Sequence, residues 1–164
     1  KVYSVDVGYG QLDWKLRNDE RVVVMERTNA RYLDKSSFSE HVSLCSVDVS
    51  FISLKLIFPA IGACGIDEAV TLIKPQFEAG KDKVGKKGVV REPSVHEQVI
   101  RDVLNYAKNN GYHPKRMTFS PIKGPEGNIE YLALFCKNET DFEPDVCEIV
   151  RAAHDALDKK TAKN

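Results

Sequence analysis

Four apolar runs in this chain end in a polar group: Asp6, Glu26, Asp48 and Lys74. Two of these residues are informative about each other. Asp48-Val49-Ser50-Phe51 and Lys74-Pro75-Gln76-Phe77 each place a charge directly after a run that must be buried. Such a charge is costly unless it is paired, so Asp48 and Lys74 are expected to face one another at the ends of adjacent strands. Paired ionisable groups in a cleft suit proton transfer, whereas the plainer reading is a salt bridge that pins the sheet edge. An acid at a strand end can also accept hydrogen bonds from both hydroxyls of a ribose. Asp6 followed by Gly8 therefore points to a nucleotide-like cofactor, although the same pair suits a turn or a helix cap. Glu130 could bring a third charge to the cleft, but its residue type and its place after a Gly-Pro turn favour an exposed carboxylate.

A second group of charges lies together in sequence. Lys81, Lys83, Lys86, Lys87 and Arg91 are opposed only by Asp82, giving residues 81–91 a net charge of +4. Gly80, Gly85 and Gly88 interrupt the stretch, which suits either a lid over a phosphate-rich partner or a solvated basic loop. The segment Glu139–Glu148 holds five acids and no base and reads as a solvated connection. Cys45, Cys64, Cys136 and Cys147 have no paired C-x-x-C spacing, and the four histidines are dispersed, so no metal site and no disulfide framework is expected. Cys45 and Cys136 sit in apolar runs as small core residues, which fits a reducing, cytoplasmic setting.

The elements that must position these groups follow from periodicity. Strands are expected at Val2–Val7, Val22–Met25, Val42–Val49, Ala69–Ile73, Met117–Phe119 and Ile129–Phe135, the first two reading as buried. Helices are expected at Gln11–Asn18, at Ser53–Ala63 (capped or kinked by Pro59), from Pro93 to a stop at Gly111, and over Asp145–Lys160. Strands alternating with helices imply an α/β fold, doubly wound, with parallel pairing and helices on both faces. The last two strands are joined by too few residues for a crossover and should be antiparallel neighbours. In such a sheet a ligand binds outside the carboxyl ends of the strands, where the four polar residues stand.

The whole-chain balance agrees with a folded domain. The 164 residues carry 24 basic and 24 acidic side chains, 42% apolar and 29% charged residues, which excludes a disordered chain. No apolar run is long enough to span a bilayer, no secretory leader is recognisable at Lys1-Val2-Tyr3-Ser4, and no membrane partner is expected. Zero net charge argues against nucleic-acid binding by bulk charge alone.

Five motifs occur in order: Val5-Asp6-Val7-Gly8-Tyr9-Gly10-Gln11-Leu12, Glu26-Arg27-Thr28-Asn29, Asp48-Val49-Ser50-Phe51-Ile52-Ser53-Leu54, Lys74-Pro75-Gln76-Phe77-Glu78 and Gly124-Pro125-Glu126-Gly127-Asn128-Ile129-Glu130. Together they closely resemble the hemolysin A (TlyA-type) family of FtsJ-like ribosomal RNA methyltransferases over residues 2–135. The resemblance implies a Rossmann-like class I methyltransferase fold, mostly parallel with an antiparallel final strand. It further implies S-adenosylmethionine as cofactor and a ribose 2′-hydroxyl of ribosomal RNA, in known members on cytidines, as methyl acceptor. FtsJ-like enzymes use a Lys-Asp-Lys-Glu tetrad, and Asp48, Lys74 and Glu130 match three of its members. By the same resemblance Asp6, with Gly8 in its turn, would hold the cofactor ribose; Glu26, Arg27 and Asn29 would lie near the adenine; and Asp48 would also border the cofactor. Lys81, Lys83, Lys86, Lys87 and Arg91 are the expected RNA-binding side chains.

The family's first strand, its glycine-rich cofactor loop, the first lysine of the tetrad and a small N-terminal RNA-binding module are expected upstream of Lys1. Residues 1–138 would then be a methyltransferase domain lacking its N-terminal part, and residues 139–164 an acidic connection and C-terminal helix. In the implied reaction a lysine made less basic by burial takes the hydroxyl proton, Asp48 orients it, and Glu130 positions the hydroxyl or the upstream lysine. Ribosomal RNA or ribosomal subunits are the expected partners. A catalytically inactive rRNA-binding or ribosome-assembly protein on the same fold is the alternative. A membrane-active hemolysin is the remote one, for which the sequence offers no amphipathic basic helix.

Overall fold

The computed structural model describes residues 1–158. Its strands form two sheets. Strands β1 (Val2–Val5) and β2 (Val22–Met25) pair in parallel, from Val2 opposite Val22 to Val5 opposite Met25. The other four strands are β3 (Leu44–Val47), β4 (Glu68–Ile73), β5 (His113–Phe119) and β6 (Tyr131–Cys136), in the order β3-β4-β6-β5. β3 and β4 are parallel, and β6 runs antiparallel to both of its neighbours. The fold is therefore α/β with a mixed sheet, and the short link between β5 and β6 makes an antiparallel pair as its length requires.

The helices are α1 (Trp14–Arg17), α2 (Phe58–Cys64), α3 (Pro75–Glu78), α4 (Pro93–Asn109) and α5 (Val146–Leu157). α4 begins on Pro93, whose missing N–H costs nothing in a first turn, and it stops where Gly111 takes φ +78°. α2 starts one residue before Pro59, after a separate 3₁₀ turn at Leu54–Leu56, so the proline marks a boundary within the span expected to be one helix. The apolar faces of α2, α4 and α5 meet one side of the larger sheet in a single core. Phe58 stands edge-on to Phe135 at 5.2 Å, and the Tyr112 hydroxyl donates to the Ile66 carbonyl at 2.5 Å.

Three expectations need correction. Along β4 the residues alternate between fully buried (Ala69, Thr71, Ile73) and part-exposed positions, and β6 does the same through Tyr131, Ala133 and Phe135. One face of these strands is thus sealed and the other only half covered, unlike the two covered faces expected. Neither β1 nor β2 is buried, and the expected helix Gln11–Asn18 shrinks to one turn whose Trp14 and Leu16 are exposed. The physical reason is that β1 has a neighbour on one edge only. Its other edge and the outer edge of β3 border a groove of about 620 Å³, lined by Tyr3, Val5, Phe38, Val42, Cys45 and Val47 among others. Of the C-terminal span Asp145–Lys160, the described part forms α5, and Lys159 and Lys160 lie outside the described residues. No helix among the described residues is long and apolar enough to cross a membrane.

Candidate functional site

Asp6, Glu26, Asp48 and Lys74 each follow the last residue of β1, β2, β3 and β4. Within each parallel pair the carboxyl ends lie side by side, which brings Asp48 to Lys74. The Lys74 ammonium Nζ lies 2.6 Å from Asp48 Oδ1 and donates to Ser50 Oγ at 3.2 Å. The pair is lopsided: the Lys74 side chain is 11% exposed and that of Asp48 is 71% exposed. With its carboxylate open to water the pair is screened on that side, which reduces what it adds to stability. Beside it, Phe51 has φ +62°, a strained conformation for a bulky side chain, and its ring is 91% exposed. That ring leans on Phe77, with centroids 5.0 Å apart, and Phe77 in turn lies 5.9 Å from Lys74 Nζ.

Glu130 is not the exposed turn carboxylate that its residue type favoured. It is 5% exposed, and Gln76 Nε2 donates to its Oε1 at 2.9 Å. The carboxylate lies against the bare backbone of Gly124, where an added Cβ would come within 2.5 Å of Glu130 Cδ. α3 therefore carries more of the site than its four residues suggest. Lys74, its N-terminal flanking residue, reaches Asp48 and Ser50, and Gln76 reaches Glu130. The Glu78 carboxylate accepts from Ser53 Oγ at 2.6 Å and from the Leu54 amide at 2.8 Å. Burial pushes the Glu78 carboxyl up from its ordinary range, against the pull of those two donors. Sequence reasoning assigned no role to Gln76, Glu78, Ser50 or Phe51, although all four lie inside motifs it quoted. The signal was the density of polar and aromatic residues beside Asp48 and Lys74.

At the ends of β1 and β2 the expected residues are each engaged with a nearby group of the protein. Asp6 stays exposed while its Oδ1 accepts the Gly8 amide at 2.6 Å, so its turn-forming and ligand-accepting readings are compatible. A Cβ on Gly8 would sit 2.9 Å from that oxygen. Glu26 pairs with Arg17 and accepts the Gly10 amide at 2.7 Å. The Arg17 guanidinium, more than any other neighbour, holds the Glu26 carboxyl below its usual range. Arg27 takes φ +52° and lays its guanidinium 4.6 Å from the Tyr9 ring centre. Asn29 caps the following turn by accepting the Arg31 amide.

The five basic residues of the loop, Lys81, Lys83, Lys86, Lys87 and Arg91, are all exposed. The stem between Gly88 and Arg91 is not. Val89 and Val90 are buried, the Val90 amide donates to Asn128 Oδ1 at 3.1 Å, and Asn128 Nδ2 donates to the carbonyls of Gly88 and Pro125. His96, fully buried, lies 3.0 Å from the Val90 carbonyl through Nε2 and 2.8 Å from the Tyr131 hydroxyl through Nδ1. A carbonyl only accepts, so Nε2 carries the proton and Nδ1 accepts from Tyr131. The loop is thus fastened at one end to the turn that leads into Glu130.

The α/β domain thus carries, at the carboxyl ends of β3 and β4 and the start of β6, a largely covered lysine, two carboxylates and an exposed aromatic residue. The model of the FtsJ-like methyltransferase family matches residues 1–137, and the chain belongs to that family. It is 46% identical to "Putative rRNA methyltransferase YqxC" of Bacillus subtilis over 98% of this chain and 60% of that protein. It is 44% identical to the 16S/23S rRNA (cytidine-2′-O)-methyltransferase TlyA of Mycobacterium tuberculosis, over 95% of this chain and 59% of that protein. Among solved structures, the "Putative hemolysin from Streptococcus thermophilus" superposes with a TM-score of 0.92 at 45% identity, covering 99% of this chain and 61% of that one. The chain spans about three fifths of the length of the curated relatives it matches.

Proposed function

We propose that this chain is the methyltransferase domain of an enzyme that moves the methyl group of S-adenosylmethionine to a ribose 2′-hydroxyl of ribosomal RNA, with a cytidine as target. The observation that carries the reading is the contact of Lys74 with Asp48, together with the hydrogen bond from Gln76, two residues on from Lys74, to Glu130. The residues present suit part of the cofactor. Asp6, exposed at the end of β1 beside a turn that Gly8 keeps clear, would accept the ribose hydroxyls, and Asp48 would border the other side. Glu26, Arg27 and Asn29 would enclose the adenine through the turn they shape. When bound, the cofactor supplies an electrophilic methyl group on a sulfonium.

A 2′-hydroxyl holds its proton at neutral pH and is a weak nucleophile, so the protein must take the proton as the methyl transfers. Lys74 Nζ is the group placed to take that proton, with Asp48 Oδ1 at 2.6 Å and Ser50 Oγ at 3.2 Å to hold the ammonium. Glu130 orients the hydroxyl. The exposed face of Phe51 offers a stacking surface to an unstacked base. Lys81, Lys83, Lys86, Lys87 and Arg91 hold the RNA through its phosphates. Residues 1–138 form the methyltransferase domain, and residues 139–164 an acidic connection and a helix packed on it. The groove between β1 and β3 takes one more strand, supplied by sequence preceding Lys1, with the glycine-rich cofactor loop following that strand.

The test uses the intact protein. Calorimetric titration with S-adenosylmethionine gives saturable binding, and the protein incorporates labelled methyl groups into rRNA. Lys74→Ala abolishes incorporation while retaining the circular dichroism of the wild type. Undiminished incorporation by that variant would sink the assignment of Lys74. Absence of cofactor binding with retained rRNA binding would favour the non-catalytic alternative.

A further inference from the structure

We infer that Gln76 is a positioning residue for Glu130, a role that rests on the methyl-transfer reading above. Glu130 is a carboxylate 5% exposed, and Gln76 Nε2 is 2.9 Å from its Oε1. The carboxylate also lies against the backbone of Gly124, which offers no side chain to turn it. The orientation of the Gln76 amide points the same way. Its Oε1 is buried and has no hydrogen-bond partner among the described residues. Turning the amide over would set that oxygen against the Glu130 oxygen, two acceptors facing one another. The carboxylate therefore dictates the amide, and the amide fixes the carboxylate.

Gln76 is also only two residues from Lys74, so the single turn of α3 sets the angle of the lysine and, through an amide, that of the acid. The two groups that flank the reacting hydroxyl are held in register with each other and not merely each with its own strand. Displacements of about 1 Å in such groups cost up to about a hundredfold in rate, so loss of the amide is felt in turnover more than in binding.

The experiment has two arms, both on the intact protein, the first with rRNA as substrate. Gln76→Met keeps the length of the side chain and removes the donor; Gln76→Asn keeps the amide and withdraws it by one methylene. Both lower kcat for methyl transfer about tenfold to a hundredfold, with KM for S-adenosylmethionine and for RNA within about twofold of wild type and the circular dichroism of the folded protein retained. Added to Glu130→Ala, neither costs more than about a further twofold, because the residue acts through the one already removed. Wild-type kcat in both variants, or losses that multiply with that of Glu130→Ala, would overturn the proposal. The second arm needs no catalysis: selective ¹⁵N labelling of glutamine follows the Gln76 side-chain amide, identified by its loss in Gln76→Met. One of its protons is shifted downfield in the wild type and returns upfield in Glu130→Ala; an unshifted proton in the wild type refutes the hydrogen bond. An inactive wild-type protein with a shifted amide proton would bring down the methyl-transfer reading and the catalytic role with it, whereas an active wild type with active variants brings down this inference alone.

Discussion

Single residues in this domain carry consequences that residue type alone hides. His96 is neutral and fully enclosed, donating to Val90 and accepting from Tyr131, and burial holds its pKa below the ordinary value of 6.5. The unfolded chain then binds a proton that the folded chain refuses, so stability is fully present above pH 6.5 and is lost as the pH falls toward the lowered value. Chemical denaturation at about pH 7.5, 6.5 and 5.5 should show this loss, at most about 1.4 kcal/mol per pH unit, and His96→Gln should flatten it. At the site itself, Gly124→Ala places a methyl group where the Glu130 carboxylate lies. Methyl transfer falls by at least about tenfold while the melting temperature changes little, as single-turnover assays and a thermal melt would report.

At the scale of elements, α3 matters out of proportion to its length, since its flanking lysine, its glutamine and its glutamate each hold a different segment. Glu78→Ala leaves the Leu54 amide and the Ser53 hydroxyl without their acceptor at the start of the 3₁₀ turn. Urea denaturation should show a loss of about 1–3 kcal/mol, larger than that for Asp48→Ala, whose carboxylate is mostly exposed. The basic loop behaves differently, because its side chains are solvated and only its stem is tied down. Replacing Lys81, Lys83, Lys86 and Lys87 by glutamine weakens RNA binding and lowers the slope of log K against log salt by about 0.7–0.9 for each phosphate that is no longer neutralised. A slope unchanged by all four substitutions would place the RNA elsewhere.

At the scale of the whole molecule, the strands of the described residues form two sheets with a groove between them. β1 and β3 each present an unpaired edge to it, and such edges in soluble proteins are covered or filled. In the intact protein, hydrogen exchange should therefore find the outward amides of β1 and β3 protected to an extent comparable with those of β4. Rapid exchange there would show that no further strand occupies the groove. The neutral total charge is also resolved at this scale: a +4 loop stands against a −4 remainder, so neutrality is compatible with one basic face toward RNA.

Strand positions, the antiparallel final pair, the start and stop of α4 and the meeting of Asp48 with Lys74 were all readable from the amino-acid sequence. Each depends on neighbours close along the chain or on the cost of leaving a charge unpaired. Five ordered motifs pointed to the family in the same way. What only the tertiary structure decided is the environment of groups whose partners are remote in sequence. Glu130 read as an exposed turn residue because its donor, Gln76, lies 54 positions away, and His96 offered nothing on its own because Val90 and Tyr131 define its role. β1 read as buried because an apolar run shows hydrophobicity but not how many neighbours a strand has. Burial is a property of the assembled sheet, and local pattern constrains a residue's own conformation far more tightly than it constrains what lies across from it.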